Sequence, residues 1–219
     1  MESTINLLFF LIGLIISIII HEIAHGWVAN KLGDPTARLA GRLSLNPIKH
    51  IDNFGSIVLP LFLLLSGSGF LFGWAKPVPI DDRYFKNPIK DNLMVSSAGI
   101  ISNLLLAALC GTFIRLSTHL GTNTISFILI SFFITLMQIN LILAAFNLLP
   151  VPPLDGSKIF FGWIQKPWIE EYLHSPRISL LSIGLIFILL PLTTQVLSIP
   201  NPISLWLQSF VTFMSRLLL

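Results

Sequence analysis

Charge is what this sequence has least of. Asp, Glu, Lys and Arg make up 11% of its 219 residues, against about 25% in soluble globular domains. So few charges cannot clothe a water-exposed surface, and the mean hydropathy of +0.84 excludes an ordinary soluble fold. Cysteine is nearly absent. Cys110 alone cannot make an intrachain disulfide, and its place in an apolar run marks it as a small packing residue. No internal repeat, low-complexity segment or flexible linker divides the chain, and no room is left for a large soluble domain. Its basic residues form no stripe interleaved with aromatics, which excludes a nucleic-acid interface.

What the chain has instead is long apolar runs. Ile5 to Ile20 is broken only by Asn6, Gly13 and Ser17, and predicts a membrane-spanning helix continuing to about Ala29-Asn30, with Gly33 as its terminator. Its length and acidic start argue against a cleaved leader. Leu93–Leu116 and Ile125–Leu149 are each long enough to cross; Ile178–Leu197 makes a further span and Ile203–Leu219 a marginal one. Ile57–Trp74 is interrupted by Pro60, Gly67 and Gly69. Between the first two runs, Ala37–Leu45 alternates loosely and predicts a short strand. Gly73–Ile80 carries two prolines, which forbid a helix and predict an extended segment. The expectation is an all-α integral membrane protein: one domain over residues 1–219, a polytopic bundle of about five to six spans.

One stretch carries chemistry. In His21-Glu22-Ile23-Ala24-His25, at the end of the first apolar run, the two histidines share one helix face a turn apart and can share one zinc ion. Glu22, beside the first ligand and offset around the helix, can act as general base toward a water at that metal. Two His and a Glu in an apolar span are costly without such a purpose. Catalytic zinc takes three protein ligands. Asp155, just past a span that Pro150, Pro152 and Pro153 unwind, is the favoured third, because unwound backbone at membrane depth lines a polar interior. Glu170 and Glu171, in an amphipathic stretch with Lys166, Trp168, Tyr172 and His174, are the alternatives.

Topology tests the pairing with Asp155. The first span and Ile125–Leu149 must present their C-terminal ends to the same side, so Ile57–Trp74 must enter and return rather than cross. Charge agrees. Lys31–Lys49 and Lys76–Lys90 carry four Lys or Arg each and Lys158–Arg177 carries three, whereas Ser117–Thr124 and Ser198–Pro202 carry none. The positive-inside rule then puts the basic loops and the metal toward the cytosol and the N-terminus outside. Arg115 is the mild exception.

At this point the residues resemble the site-2 proteases, intramembrane zinc metalloproteases. His21-Glu22-Ile23-Ala24-His25 is similar to that family's zinc-binding helix, and Asn147-Leu148-Leu149-Pro150-Val151-Pro152-Pro153-Leu154-Asp155-Gly156 to its proline-interrupted second signature. Gly99-Ile100-Ile101-Ser102-Asn103 fits its Gly-x-x-x-Asn, and Gly73-Trp74-Ala75-Lys76-Pro77-Val78 the extended segment of its compact, prokaryote-type members. The resemblance covers roughly residues 5–165; beyond residue 175 there is no motif, and no loop could house the PDZ domain inserted in larger members.

It implies a three-span catalytic core with a re-entrant or extended hairpin between its first two spans, and accessory spans over about 178–219. It implies one Zn2+ per chain on His21, His25 and Asp155, Glu22 as the catalytic base, and Asn147 and Asn103 as contacts to substrate backbone or the oxyanion. Asn103 is equally suited to an interhelical hydrogen bond. Gly73, Trp74, Ala75, Lys76 and Pro77 would clamp an extended substrate edge-on, or form a structural plug. The implied activity is endopeptidic cleavage within or near transmembrane segments of a membrane protein or peptide, in signalling or in clearance of remnants, with the lipid bilayer as surroundings and a prokaryotic inner membrane as location. Rival classes are an inactive scaffold, a metal-binding or transport protein, and a prenyl-protein-processing metalloprotease with a Glu ligand. His50, His119 and His174 are expected to be solvated or interfacial. Substrate, gating and oligomeric state are not legible.

Overall fold

The computed structural model describes residues 2–65, 73–117, 124–191, 194, 198 and 200–219. Helix α1 (Glu2–Leu32) is followed by a single helical turn α2 (Thr36–Leu39) and a short helix α3 (Leu59–Leu65). Then come α4 (Pro88–Ser117), α5 (Thr124–Asn147), α6 (Asp155–Phe161), α7 (Pro167–His174), α8 (Pro176–Gly184) and α9 (Pro202–Leu218). No strand occurs among the described residues, and the architecture is the expected polytopic helical bundle.

Among the described residues three helices are long and apolar enough to cross a membrane: α1, α4 and α5, with mean hydropathies of 2.6, 2.0 and 2.3 over their most apolar windows. They pack on one another as the central layer. Small residues make this possible, since water provides no drive for helices to associate inside a bilayer and close backbone approach must supply it. Ala29, Ala107, Ala144 and Ala145 are fully buried, and Gly13 of α1 lies against Leu136 and Ile139 of α5. Ala107, Cys110, Leu136, Met137 and Leu141 form the core, to which α9 adds Val211, Met214 and Leu218. Cys110 is thus a packing residue, as its apolar setting implied. Leu7, Leu8, Leu105, Leu109 and Phe127 point outward, an arrangement suited to hydrocarbon surroundings. The expected accessory spans are shorter. Helix α8 continues into a wider turn over Leu185–Leu189, and α9 has 17 residues.

The connection between α1 and α4 positions the site. Helix α1 stops at Gly33, whose φ of +114° suits only glycine. The predicted strand over Ala37–Leu45 is not formed. Thr36–Leu39 is helical, and the Arg42 amide turns back to the Ala37 carbonyl at 2.9 Å, so Pro35 and Gly41 impose a turn where loose alternation suggested extension. Farther on, Asp52 caps a wide helical turn over Asn53–Val58 that leads into α3. The chain then returns to its point of entry. Trp74 donates from its amide to the Gly55 carbonyl at 3.1 Å and accepts from Ser56 Oγ at 2.8 Å. The two ends of the Ile57–Trp74 stretch therefore lie side by side, as a segment that enters and returns requires.

Residues Gly73–Ile80 are extended, as the prolines dictate, and are fastened along one edge. Lys76 donates its amide to the His50 carbonyl at 2.9 Å, and its own carbonyl accepts from Arg42 at 2.6 Å. His50 is buried, with Nε2 bonded to the Ser44 carbonyl at 2.7 Å. That corrects the expectation of a solvated histidine; its ring is needed inside the fold. His174 is exposed as expected, and His119 lies outside the described residues. Where the segment ends, Arg83 clasps Asp81 and holds its carboxyl below the ordinary carboxylate range.

Asp34 staples the two ends of this connection. It is fully buried and accepts from the Thr36 amide and the Asp81 amide, each at 2.8 Å. Replacement by Ala strands two half-buried amides beside a lost charge, and is expected to cost about 2–4 kcal/mol. Thermal unfolding of Asp34→Ala in detergent beside the parent checks this; an unchanged midpoint would show that the staple is dispensable.

Candidate metal centre

Every fourth residue along α1 from Gly13 to Ala29 is buried, giving the stripe Gly13, Ser17, His21, His25, Ala29. This is the i, i+4 ridge by which one helix packs against its neighbours. It carries both imidazoles inward, leaving His21 and His25 only 9% and 8% exposed. The rings meet edge to face, 4.6 Å between centroids. Room for them comes from α4: a Cβ on Gly99 would stand 2.5 Å from both His21 Cε1 and His25 Nε2. The third member arrives from far along the chain. Helix α5 ends at Asn147, the proline-rich turn follows, and Asp155 opens α6. Helix α7 braces that turn through Tyr172 Oη, which donates to the Pro150 carbonyl at 3.0 Å.

These elements bring His21 Nε2, His25 Nε2 and Asp155 Oδ2 together. The two nitrogens are 3.0 Å apart, and the carboxylate oxygen lies 3.3 and 3.2 Å from them. Hydrogen bonding on the far side of each ring decides what these atoms can be. His25 Nδ1 lies 2.7 Å from the Val95 carbonyl, which can only accept, so Nδ1 donates. His21 Nδ1 lies 2.6 Å from Asn103 Oδ1 and donates likewise. In the neutral rings both Nε2 atoms are therefore bare lone pairs. Asp155 Oδ2 is buried with no hydrogen-bond donor. Three acceptors this close repel unless a cation lies among them. Tetrahedral zinc ligands at about 2.0–2.1 Å from the metal are about 3.3 Å apart, close to the 3.0–3.3 Å seen. Two imidazole nitrogens and a carboxylate are a donor set zinc takes, so the residues fit the ion. Among the described residues this is the one group of three such side chains able to hold a metal; Glu170 and Glu171 are not part of it.

Glu22 leaves the buried ridge on the adjacent face of α1. Its Oε2 accepts from the Val78 amide at 2.7 Å, which ties it to the extended segment. Asn103 is fully buried, its Oδ1 on His21 and its Nδ2 on Asn140, so its amide faces the ligand helix instead of an open cleft. Asn147 Nδ2 donates to the Leu143 carbonyl of its own helix at 3.0 Å, leaving its oxygen unbonded. Trp74, Lys76 and Pro77 are exposed, and Ala75 is half-buried beside them. Sequence reasoning missed Ser17 and Asn140. The available signal was a polar residue in each of two apolar spans, one of them in register with the histidines.

The sequence matches Peptidase family M50 over residues 9–127 and 111–191. The chain belongs to peptidase family M50. This is the family of the site-2 proteases, so the resemblance carried by the motifs holds. Among its relatives, "Putative zinc metalloprotease YwhC" of Bacillus subtilis (strain 168) is 46% identical over 155 residues, covering 69% of this chain and 67% of that one. "Putative zinc metalloprotease Rip2" of Mycolicibacterium smegmatis is 32% identical over 145 residues, and its namesake from Mycobacterium tuberculosis 34%. Those alignments cover 66% of this chain but only 52% of each Rip2 protein, so the chain spans about half their length. No solved structure matches.

Two substitutions probe the cluster in this M50 member. Asp155→Ala is expected to lower bound zinc from about one ion per chain to a small fraction, because two histidines alone hold zinc weakly. Gly99→Ala is expected to do the same by forcing the rings apart. Metal analysis of detergent-purified protein reads both, and full zinc in Asp155→Ala would remove that residue from the ligand set.

Proposed function

We propose that this chain is a zinc-dependent intramembrane endopeptidase of the site-2 type, cutting peptide bonds within or near the transmembrane segments of membrane proteins. The observation that carries the proposal is the convergence of His21, His25 and Asp155 from two separate helices of an apolar bundle, with Glu22 beside them. Membership of a peptidase family and relatives named as putative zinc metalloproteases support it. One zinc per chain is held by those three side chains.

Zinc bound there supplies Lewis acidity, polarising a carbonyl and acidifying a water. The residues do the rest. Glu22 takes the proton of the attacking water and returns it to the leaving amine. The Val78 amide keeps its carboxylate oriented by occupying one oxygen, leaving the other to the water. Asn103 holds His21. Asn147, at the end of α5, is placed in chain order just before the metal-bearing turn, and its unbonded oxygen is available to substrate backbone.

A helical peptide bond is shielded by its own hydrogen bonds, so the substrate must be extended where it is cut. The Gly73–Ile80 segment is suited to receive it. In an extended chain the backbone groups of successive residues face opposite ways. Trp74, Lys76 and Val78 spend theirs on Gly55, His50, Arg42 and Glu22. The intervening Ala75, Pro77 and Pro79 face the other way. Prolines carry no N–H, so from Ala75 onward that edge presents one donor, the Ala75 amide, and the carbonyls of Ala75, Pro77 and Pro79. A substrate strand would therefore mostly donate to it, a geometry that favours strand addition by a partner with free amides. The same proline edge resists pairing with a second copy of itself. The basic loops support a reading with the N-terminus outside and the metal nearer the cytosolic face, in a prokaryotic inner membrane.

Two measurements test this. Glu22→Gln should lower kcat about 10²- to 10⁴-fold on a single-span reporter substrate while zinc content stays at the parental level. A folded, zinc-loaded Glu22→Gln that still functions would sink the peptidase reading. Ala75→Pro removes the Ala75 donor from the free edge and should lower kcat/KM about tenfold, the worth of one hydrogen bond of about 1.4 kcal/mol, again without loss of zinc. Loss of zinc in that variant would mark the segment as a structural plug.

A further inference from the structure

Two polar side chains deep in the bundle take no part in the proposed reaction. Asn140, within α5, and Ser17, one turn before His21 on α1, are both fully buried. A polar group in such surroundings is tolerated only when bonded, and here the bonds run in one direction. Asn140 Nδ2 donates to the Leu136 carbonyl and to Ser17 Oγ, each at 2.8 Å, and Ser17 Oγ donates to the Gly13 carbonyl at 2.6 Å. A backbone carbonyl can only accept. The Leu136 carbonyl therefore holds the nitrogen of Asn140 at this end and turns its Oδ1 to the other. There Oδ1 accepts from Asn103 Nδ2 at 2.8 Å, with the Ser17 carbonyl a longer acceptor for the same group at 3.5 Å, which leaves Asn103 Oδ1 against His21 Nδ1 at 2.6 Å. The polarity set by main-chain carbonyls is thus handed through two amides to the imidazole.

We propose that Asn140 and Ser17 are positioning residues for the metal: by orienting the Asn103 amide they hold His21 as the Nδ1–H tautomer that ligates through Nε2. The proposal rests on the zinc-site reading above. If the Asn103 amide turned over, its NH2 would face Nδ1, the ring proton would move to Nε2, and Nε2 would exclude a cation. Asn140 opposes that turn only while its own amide is fixed. His25 needs no such relay, because its Nδ1 meets the Val95 carbonyl directly.

The test is the zinc affinity of the full chain, stripped of metal and titrated in detergent against a chromophoric chelator, with the zinc-induced rise in unfolding temperature read in parallel. Asn140→Leu keeps the volume and deletes the bonds; it should weaken zinc binding about 10- to 100-fold, the usual scale for partners behind a metal ligand, and shrink the zinc-induced rise. Asn140→Asp keeps an acceptor toward Asn103 and should bind within a few-fold of the parent. Ser17→Ala leaves the Leu136 carbonyl in place and should weaken binding severalfold; it decides the matter alone if Asn140→Leu does not fold. Parental zinc affinity in Asn140→Leu and Ser17→Ala, even with a lower unfolding temperature without metal, would make the pair helix-packing groups and overturn the relay. No zinc binding by the parent would overturn the metal site itself, and the relay with it.

Discussion

Three acceptor atoms crowd within 3.3 Å of one another inside an apolar bundle, and such a set is tolerable only around a positive charge. Burial leaves little water to screen it, and lipid offers no donors. Much of the surrounding structure serves to make that crowding possible. Gly99 leaves space for two rings, and the Val95 carbonyl and the Asn103 amide hold the ring protons on the side away from the cluster. The broken helix after Asn147 lets a carboxylate enter at a depth where continuous helix would have presented only side-chain faces.

The proposed activity sets a second constraint, that a peptide be reached in extended form within a helical protein. The bundle answers with a segment that is itself extended. Pro77 and Pro79 deny it a helix, and its inner edge is fastened at Gly55, His50, Arg42 and Glu22. The link from Val78 to Glu22 joins the proposed substrate edge to the proposed base, so the position of one fixes the position of the other. Asp34 anchors the far end of the same segment from beneath α1. The extended segment, Glu22 and the histidine ridge are thus mechanically connected around the C-terminal half of α1.

Much of this was legible in the residues. Hydropathy located the three central helices to within a few residues, because lipid leaves backbone no alternative to helix. The His-Glu-x-x-His spacing put both imidazoles on one face, since i, i+4 positions coincide on any α-helix. Parity of the spans required Ile57–Trp74 to turn back, and its two ends do meet. Less was readable in the polar connection. The loose alternation at Ala37–Leu45 suggested a strand, but Pro35 and Gly41 govern so short a stretch. His50 looked like a loop residue because burial of a connection depends on what folds over it.

What the sequence by itself determined is therefore everything set by local spacing and by the solvent: which segments are helices, which helix face bears the imidazoles, where the chain must be extended. Tertiary structure alone decided the long-range pairings. That Asn103 faces His21, and that Ser17 and Asn140 stand behind it, follow from how α1, α4 and α5 pack; Asp155, already favoured by its place after the proline-rich turn, meets the histidines only through the start of α6. Periodicity names the inward face of a helix, but a buried polar group acquires its role only from the atom opposite, and that atom belongs to another helix.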